Sequence, residues 1–210
     1  MIYKETKSLF LKKYQYKIVL VCPAASLFRG GDFESTLKTL NDVDLAAEQA
    51  KPISWVTRLK DPEDLTLSKA ICNDLKKMQD VDVRVESPWL SIYTNNAKDM
   101  ALLVRHYEEH IKYVSRPSNP DSLSDGVVVM PKMDFDYKVT LSATKTEHSA
   151  FVQWASTNGK IKVTKSCARD LTKNRSWGGT HFYVTGDNNL LMAKMHLGGC
   201  IAKIQRIIKE

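Results

Sequence analysis

The sequence predicts an α+β protein of two tandem units, each running strand, helix, strand, strand, helix, strand. Three observations predict it. Alternating runs that mark half-buried strands occur in both halves, among them Val81-Asp82-Val83-Arg84-Val85-Glu86 and Tyr137-Lys138-Val139-Thr140-Leu141. Between such runs lie segments with apolar residues at helical spacing, such as Leu67, Ala70, Ile71, Leu75 and Met78. The halves also align. Tyr16-Lys17-Ile18-Val19-Leu20 matches the run at Tyr137, and Ile92-Tyr93-Thr94 falls on Phe182-Tyr183-Val184 at a shift of 90 residues. The same shift carries Met100 onto Leu190, Ile111 onto Ile201, Val114 onto Ile204 and Arg116 onto Arg206.

The first dozen residues are mixed and basic, and read as an arm or an edge strand. Tyr14 to Cys22 alternates and is rich in β-branched residues, which predicts a strand ended by Pro23. Ala24 to Gly31 is a loop. Asp32 then caps a helix with Phe33, Leu37 and Leu40 on one face, continued over Val43 to Ala50 and stopped by Pro52. Ile53 to Leu59 reads as a strand carrying Trp55. Asp61-Pro62-Glu63-Asp64 starts the next helix, with a cap, a proline at the first position and acids in the first turn. The alternating strand at Val81, a turn at Ser87-Pro88 and a strand from Trp89 to Thr94 follow. Asn95-Asn96 caps a helix from about Ala97 to Glu109, and Ile111 to Val114 is a strand.

Arg116 to Gly126, with two prolines, three serines and a glycine, is the clearest linker. The domains expected are therefore 1–116 with an insertion at about 30–55, a linker at 117–126, and a basic unit at 127–210. Val127 to Met130 pairs with a neighbouring strand on the way out. Beyond the strand at Tyr137, His148 to Ser156 is a helix, Lys160 to Ser166 and Gly178 to Thr185 are strands, and Gly186-Asp187-Asn188 opens a helix ended by Gly198-Gly199. Cys200 to Ile208 is a final strand or a short helix. This order is the split βαβ, or ferredoxin-like, unit. It implies a four-stranded antiparallel sheet with both helices on one face. The other face is open, and must be covered by a partner (a nucleic acid, a second copy of the chain or another protein), by the second domain or by polar side chains.

Of the 210 residues, 43% are hydrophobic and 26% charged, the balance of a folded protein. No apolar run approaches the roughly 18 residues of a membrane span, so no membrane partner and an intracellular, cytoplasmic location are expected. Cys22, Cys72, Cys167 and Cys200 show no CxxC spacing, which argues against structural zinc and for buried free thiols. His106 and His110 lie one helical turn apart but without an HExxH order, and no phosphate-binding or nucleophile-elbow motif occurs. No cofactor is expected.

Charge is uneven. Residues 1–60 are net +4, residues 61–125 net −4 and residues 126–210 net +7, which equals the total for the chain. The excess concentrates between Gly159 and Thr185, where Lys160, Lys162, Lys165, Arg169, Lys173 and Arg175 face only Asp170 across a basic loop joining two strands. Trp177, His181, Phe182 and Tyr183 follow at once. The two-residue period turns Tyr137, Val139, Leu141, Ile161, Val163, Phe182 and Val184 toward the helices. Lys138, Lys160, Lys162, His181 and Tyr183 then share the open face. In the first half that face carries Lys17, Arg84, Trp89 and Tyr93 among Asp82 and Glu86. Cations beside stackable rings hold phosphates and bases.

The order Arg175-Ser176-Trp177-Gly178-Gly179-Thr180-His181-Phe182-Tyr183-Val184 resembles the basic, glycine and aromatic motif on the third strand of RNA-recognition-motif domains. That resemblance implies base stacking on the sheet. The tandem layout, with Gly198-Gly199 before a late strand, resembles metal-independent ribonucleases that process CRISPR transcripts, and implies His148 or His181 as general acid or base. A structural protein that assembles through its sheets is the third class. The reading taken forward is a non-enzymatic binder of single-stranded nucleic acid, RNA favoured, through Lys138, Lys160, Lys162, Lys165, Arg169, Lys173, Arg175, Trp177, His181 and Tyr183.

Overall fold

A computed structural model describes residues 2–49, 62–173 and 176–209. The expected strand at Ile53–Leu59, the stop at Pro52, the cap at Asp61 and the site residue Arg175 lie outside the described residues. The chain divides into two compact units, Met1–Pro120 and Asp121–Glu210, and each is a mixed α+β layer around a five-stranded sheet.

The first unit runs β1 (Tyr3–Glu5), β2 (Tyr16–Val21), α1 (Phe33–Glu48), α2 (Pro62–Lys77), β3 (Val81–Glu86), β4 (Trp89–Thr94), α3 (Ala97–Tyr107) and β5 (Ile111–Arg116). The second runs β6 (Val127–Val129), β7 (Tyr137–Leu141), α4 (Ser149–Thr157), β8 (Ile161–Val163), α5 (Lys165–Leu171), β9 (His181–Val184), α6 (Asp187–Leu197) and β10 (Ile201–Ile208). The sheet orders are β1-β5-β2-β4-β3 and β6-β10-β7-β9-β8. Among the described residues, only the edge pairs β1·β5 and β6·β10 are parallel. That edge strand makes each sheet five-stranded where four antiparallel strands were expected.

Local chemistry accounts for most boundaries. The Asp32 carboxylate accepts from Ser35 N at 3.0 Å, and Asn96 Oδ1 accepts from Lys98 N at 2.9 Å, so both helices start where a side chain satisfies an orphan N–H. β3 alternates in exposure along its length, as its Val-charge period requires. In the first core, Ile18, Leu20, Leu90 and Ile92 of the sheet pack on Ile71, Leu75 and Leu103 of the helices. In the second, Val139, Leu141, Phe182 and Val184 pack on Phe151, Leu190 and Leu197, with the Phe151 and Phe182 rings 5.0 Å apart. Of the expected inward set, Val139, Leu141, Ile161, Phe182 and Val184 are buried, and Tyr137 and Val163 are partly buried against the same core.

The shift of 90 recurs in the element bounds. α3 (97–107) and α6 (187–197) share it, as do the 3-10 turns Glu108–His110 and Gly198–Cys200 that follow them. The registers correspond too: Lys17 lies opposite Tyr93 and Lys138 opposite Tyr183.

Three expectations need correction. The run Lys160 to Ser166 is not one strand. β8 stops at Val163, and α5 occupies what read as a basic loop. Thr164 Oγ1 accepts from Cys167 N at 3.3 Å and caps the new helix, while Cys167 and Leu171, one turn apart, bury in the second core. The span 24–31 is not wholly loop: a 3-10 turn at Ala25–Phe28 buries Phe28. Finally, the sheet faces away from the helices are open only in part. Phe10, bridged to Tyr14, lies 5.8 Å from the Tyr93 ring, and Phe135 lies 5.9 Å from the Tyr183 ring. In both units the segment leading into the second strand covers the outward tyrosine.

Candidate nucleic-acid interface

The outward face of the second sheet can be read row by row from its register. One row is Gln205, Lys138, Tyr183 and Lys162, on β10, β7, β9 and β8. The next is Lys203, Thr140 and His181. Lys138 and Lys162 stand two strand spacings apart, about 10 Å, with Tyr183 between them. Lys203 is a member of this group that the sequence reading missed. Its signal was there: Lys203 and Gln205 alternate with the inward Ile204.

Tyr183 is 7% exposed. It packs with Val128 and Ile207 beneath Met130, Met133 and Phe135, and burial raises its phenol pKa. The expectation of a base-stacking Tyr183 is therefore corrected. It faces outward from the strand, as the period requires, but the chain's own segment 128–135 occupies the stacking position. His181 is half-buried, and its ring nitrogen meets the Tyr183 hydroxyl at 3.1 Å. Burial, then the Lys138 charge, hold its pKa below the ordinary histidine value. Lys138 is likewise lowered, by burial and then by Lys203. Lys138 and Lys203 thus crowd each other on this face, beside a histidine whose charged form burial and Lys138 disfavour.

A second group lies on and beside α5. Lys165 and Arg169 are one turn apart and exposed, and Lys173 follows just past the helix end. Lys160 is exposed in the turn before β8, where its carbonyl accepts from Thr185 N at 2.9 Å. None of Lys138, Lys160, Lys162, Lys165, Arg169, Lys173 and Lys203 has a carboxylate at ion-pair distance among the described residues. The first unit behaves differently. There Lys13 pairs with Asp80 at 2.6 Å, Lys76 with Glu34 at 2.7 Å and Arg84 with Glu86 at 3.3 Å, and Lys69 pairs with Asp44.

Trp177 is 81% exposed and stands on a braced turn. Thr144 and Ser176 exchange backbone hydrogen bonds of 3.0 and 2.9 Å, and Gly179 N donates to Leu141 O at 2.8 Å. Gly178 sits at φ +77°, and a side chain there would start 2.5 Å from the Ser142 backbone. Only glycine lets this turn close against β7 and hold the tryptophan outward.

The first unit repeats part of this pattern. Tyr93 is buried at 4%, and Lys17 lies 5.5 Å from the centroids of both Tyr93 and Tyr113. Lys112 lies 3.3 Å over the Trp89 ring, which is thereby occupied. Of the other histidines, His106 pairs with Asp74 at 2.9 Å. His148 and Cys200 meet elsewhere in the second unit. Among the described residues, no group of three or more His, Cys, Asp or Glu is placed to hold a metal, and no helix is long and apolar enough to cross a membrane. Comparison of the chain with protein-family models, with curated proteins and with solved structures finds no match.

Proposed function

We propose that this chain is a non-enzymatic protein of two ferredoxin-like units that holds single-stranded nucleic acid, RNA by preference, on the basic side of its second unit. The ferredoxin-like reading rests on the antiparallel part of each sheet. Its order, β5-β2-β4-β3 and β10-β7-β9-β8, is that of a split βαβ unit, with the edge strand and helices α1 and α5 as additions.

One observation carries the functional reading. Among the described residues Lys138, Lys160, Lys162, Lys165, Arg169, Lys173 and Lys203 lack carboxylate partners, and beside burial Lys203 lowers the proton affinity of Lys138 as Lys138 lowers that of His181, while several cations of the first unit are paired. A phosphate chain relieves that repulsion and releases its own counterions. Lys138, Lys162 and Lys203 hold phosphates at the rim of the sheet. Lys165, Arg169 and Lys173 extend the track over α5, with Lys160 and Arg175 near it in sequence. Trp177 stacks a base, which only an unpaired strand offers. Thr140, half-buried between Lys203 and His181, favours RNA because its hydroxyl suits a 2′-OH.

Fluorescence anisotropy with labelled single-stranded RNA, single-stranded DNA and duplex, at low and near-physiological salt, tests this. Submicromolar binding that weakens steeply with salt and prefers a single strand is expected. No binding at low salt overturns it, and shortening of the RNA would put a ribonuclease in its place.

A second reading has its own observation. Leu191, Met192 and Met195 project from α6, Met195 being 72% exposed. An interaction protein or homo-oligomer would use that apolar strip. Sedimentation at high salt separates the two, because an apolar interface survives salt that removes a phosphate contact.

A further inference from the structure

Cys200 differs from the other three cysteines. Cys22, Cys72 and Cys167 are buried, and burial pushes each thiol up to about 11. Cys200 is partly exposed, at the end of the 3-10 turn Gly198–Cys200. Nothing lies within 4 Å of where a side chain would start at Gly198 or Gly199, so the approach along the turn is uncrowded. The Cys200 Sγ lies 3.2 Å from His148 Nε2 and 3.4 Å from Thr144 Oγ1.

The surroundings fix this contact from three sides. His148 N donates to Leu171 O at 2.8 Å, at the entry to α4. Ser142 N donates to Cys200 O at 2.9 Å. Thr144 Oγ1 accepts from Thr146 N at 3.0 Å, and Thr144 exchanges backbone bonds with Ser176. Thr144 also forms part of the wall of a shallow cavity of about 190 Å³, shared with Ala143, Lys145, Ser176 and Trp177. An imidazole nitrogen at hydrogen-bond distance from a reachable thiol is the arrangement that activates a sulfur nucleophile.

We propose that Cys200 is an acyl-acceptor thiol, with His148 as its general base, that takes an acyl group from an activated ester or thioester. The Sγ–H proton passes to His148 Nε2 as the sulfur attacks the acyl carbonyl carbon. The bond from that carbon to the leaving oxygen or sulfur breaks, and Nε2–H returns the proton to it. The products are S-acyl Cys200 and a free alcohol or thiol, with no change of oxidation state. The chemistry does not rest on the nucleic-acid reading, since Cys200 and His148 belong to neither cation group, although Thr144 links Cys200 to the turn that carries Trp177.

The test uses the full chain and p-nitrophenyl acetate. About one equivalent of p-nitrophenolate should be released in a fast phase, with the acetyl group found on Cys200 by peptide mass spectrometry. Native Cys200 should react about tenfold faster than N-acetylcysteine or than the same residue in urea, because an imidazole nitrogen 3.2 Å from the sulfur is placed to take its proton during attack. Cys200→Ala should abolish the fast phase, and His148→Gln should slow it about tenfold, with folding followed by circular dichroism. A fast phase that persists in Cys200→Ala overturns the proposal. So does native Cys200 reacting no faster than N-acetylcysteine, a comparison that needs no variant.

Discussion

Trp177 and Tyr183 lie six positions apart, and burial separates their roles. Tyr183 is enclosed with Val128, Ile207 and Phe135, so Tyr183→Ala should lower stability by about 3 kcal/mol, read as a fall in the melting temperature. Trp177→Ala should leave the melt unchanged within about 0.5 kcal/mol, because the ring is exposed. It should weaken single-stranded RNA binding by about 1–3 kcal/mol and leave duplex binding nearly unchanged. Titration curves and melts on both variants check the division. His181 supplies a pH dependence. Burial and Lys138 hold its pKa down, so the fold favours the neutral ring. The stability this contributes is complete above the ordinary histidine pKa and is lost as pH falls through that value toward the lowered one. RNA binding runs the opposite way, since protonation adds a cation. Affinity should rise as pH falls from about 7.5 to 5.5, more in the native chain than in His181→Gln. A pH-independent affinity in both would remove His181 from the interface.

At the scale of elements, α5 carries the largest difference between sequence and structure. The run Ile161-Lys162-Val163-Thr164-Lys165 continues a two-residue period, and that period argued for a strand through Ser166. The helical signal was legible in Thr164, Cys167 and Leu171, but seven residues are too few for the helical period to outweigh the strand period before it. The Thr164 hydroxyl both caps α5 and donates to His181 O at 2.9 Å, tying the helix to β9. Thr164→Ala should therefore cost about 1 kcal/mol in chemical denaturation. Lys165→Ala with Arg169→Ala removes two phosphate partners from one helix face. The slope of log affinity against log salt should fall by about 1.4 for single-stranded RNA, with stability unchanged. An unaltered slope would take α5 out of the track. Helices α1 and α3 were easier to read, because Asp32 and Asn96 cap them and they are longer than α5.

For the whole molecule, the useful quantity is where charge is left unpaired, and not the total of +7. Lys138→Gln, Lys162→Gln and Lys203→Gln together should lower the salt slope by about 2 and weaken RNA binding severalfold. Lys69→Gln with Lys76→Gln, which breaks pairs to Asp44 and Glu34 in the first unit, should leave the slope unchanged. Anisotropy at four salt concentrations distinguishes the two sets. The sequence alone determined the α+β class, the two-unit layout, the repeat at a shift of 90 and the concentration of cations in the last third, because periodicity, capping and composition are local properties. It also determined which side chains turn away from the helices, since a strand's period sets its faces. Tertiary structure alone decided what covers those faces. Phe10 and Phe135 lie in irregular segments without a period, and each reaches a tyrosine far along the chain. It also decided which cations find carboxylates, and it brought His148 to Cys200 across 52 positions. Such contacts depend on how the layers close on one another, and no local pattern in the chain encodes that distance.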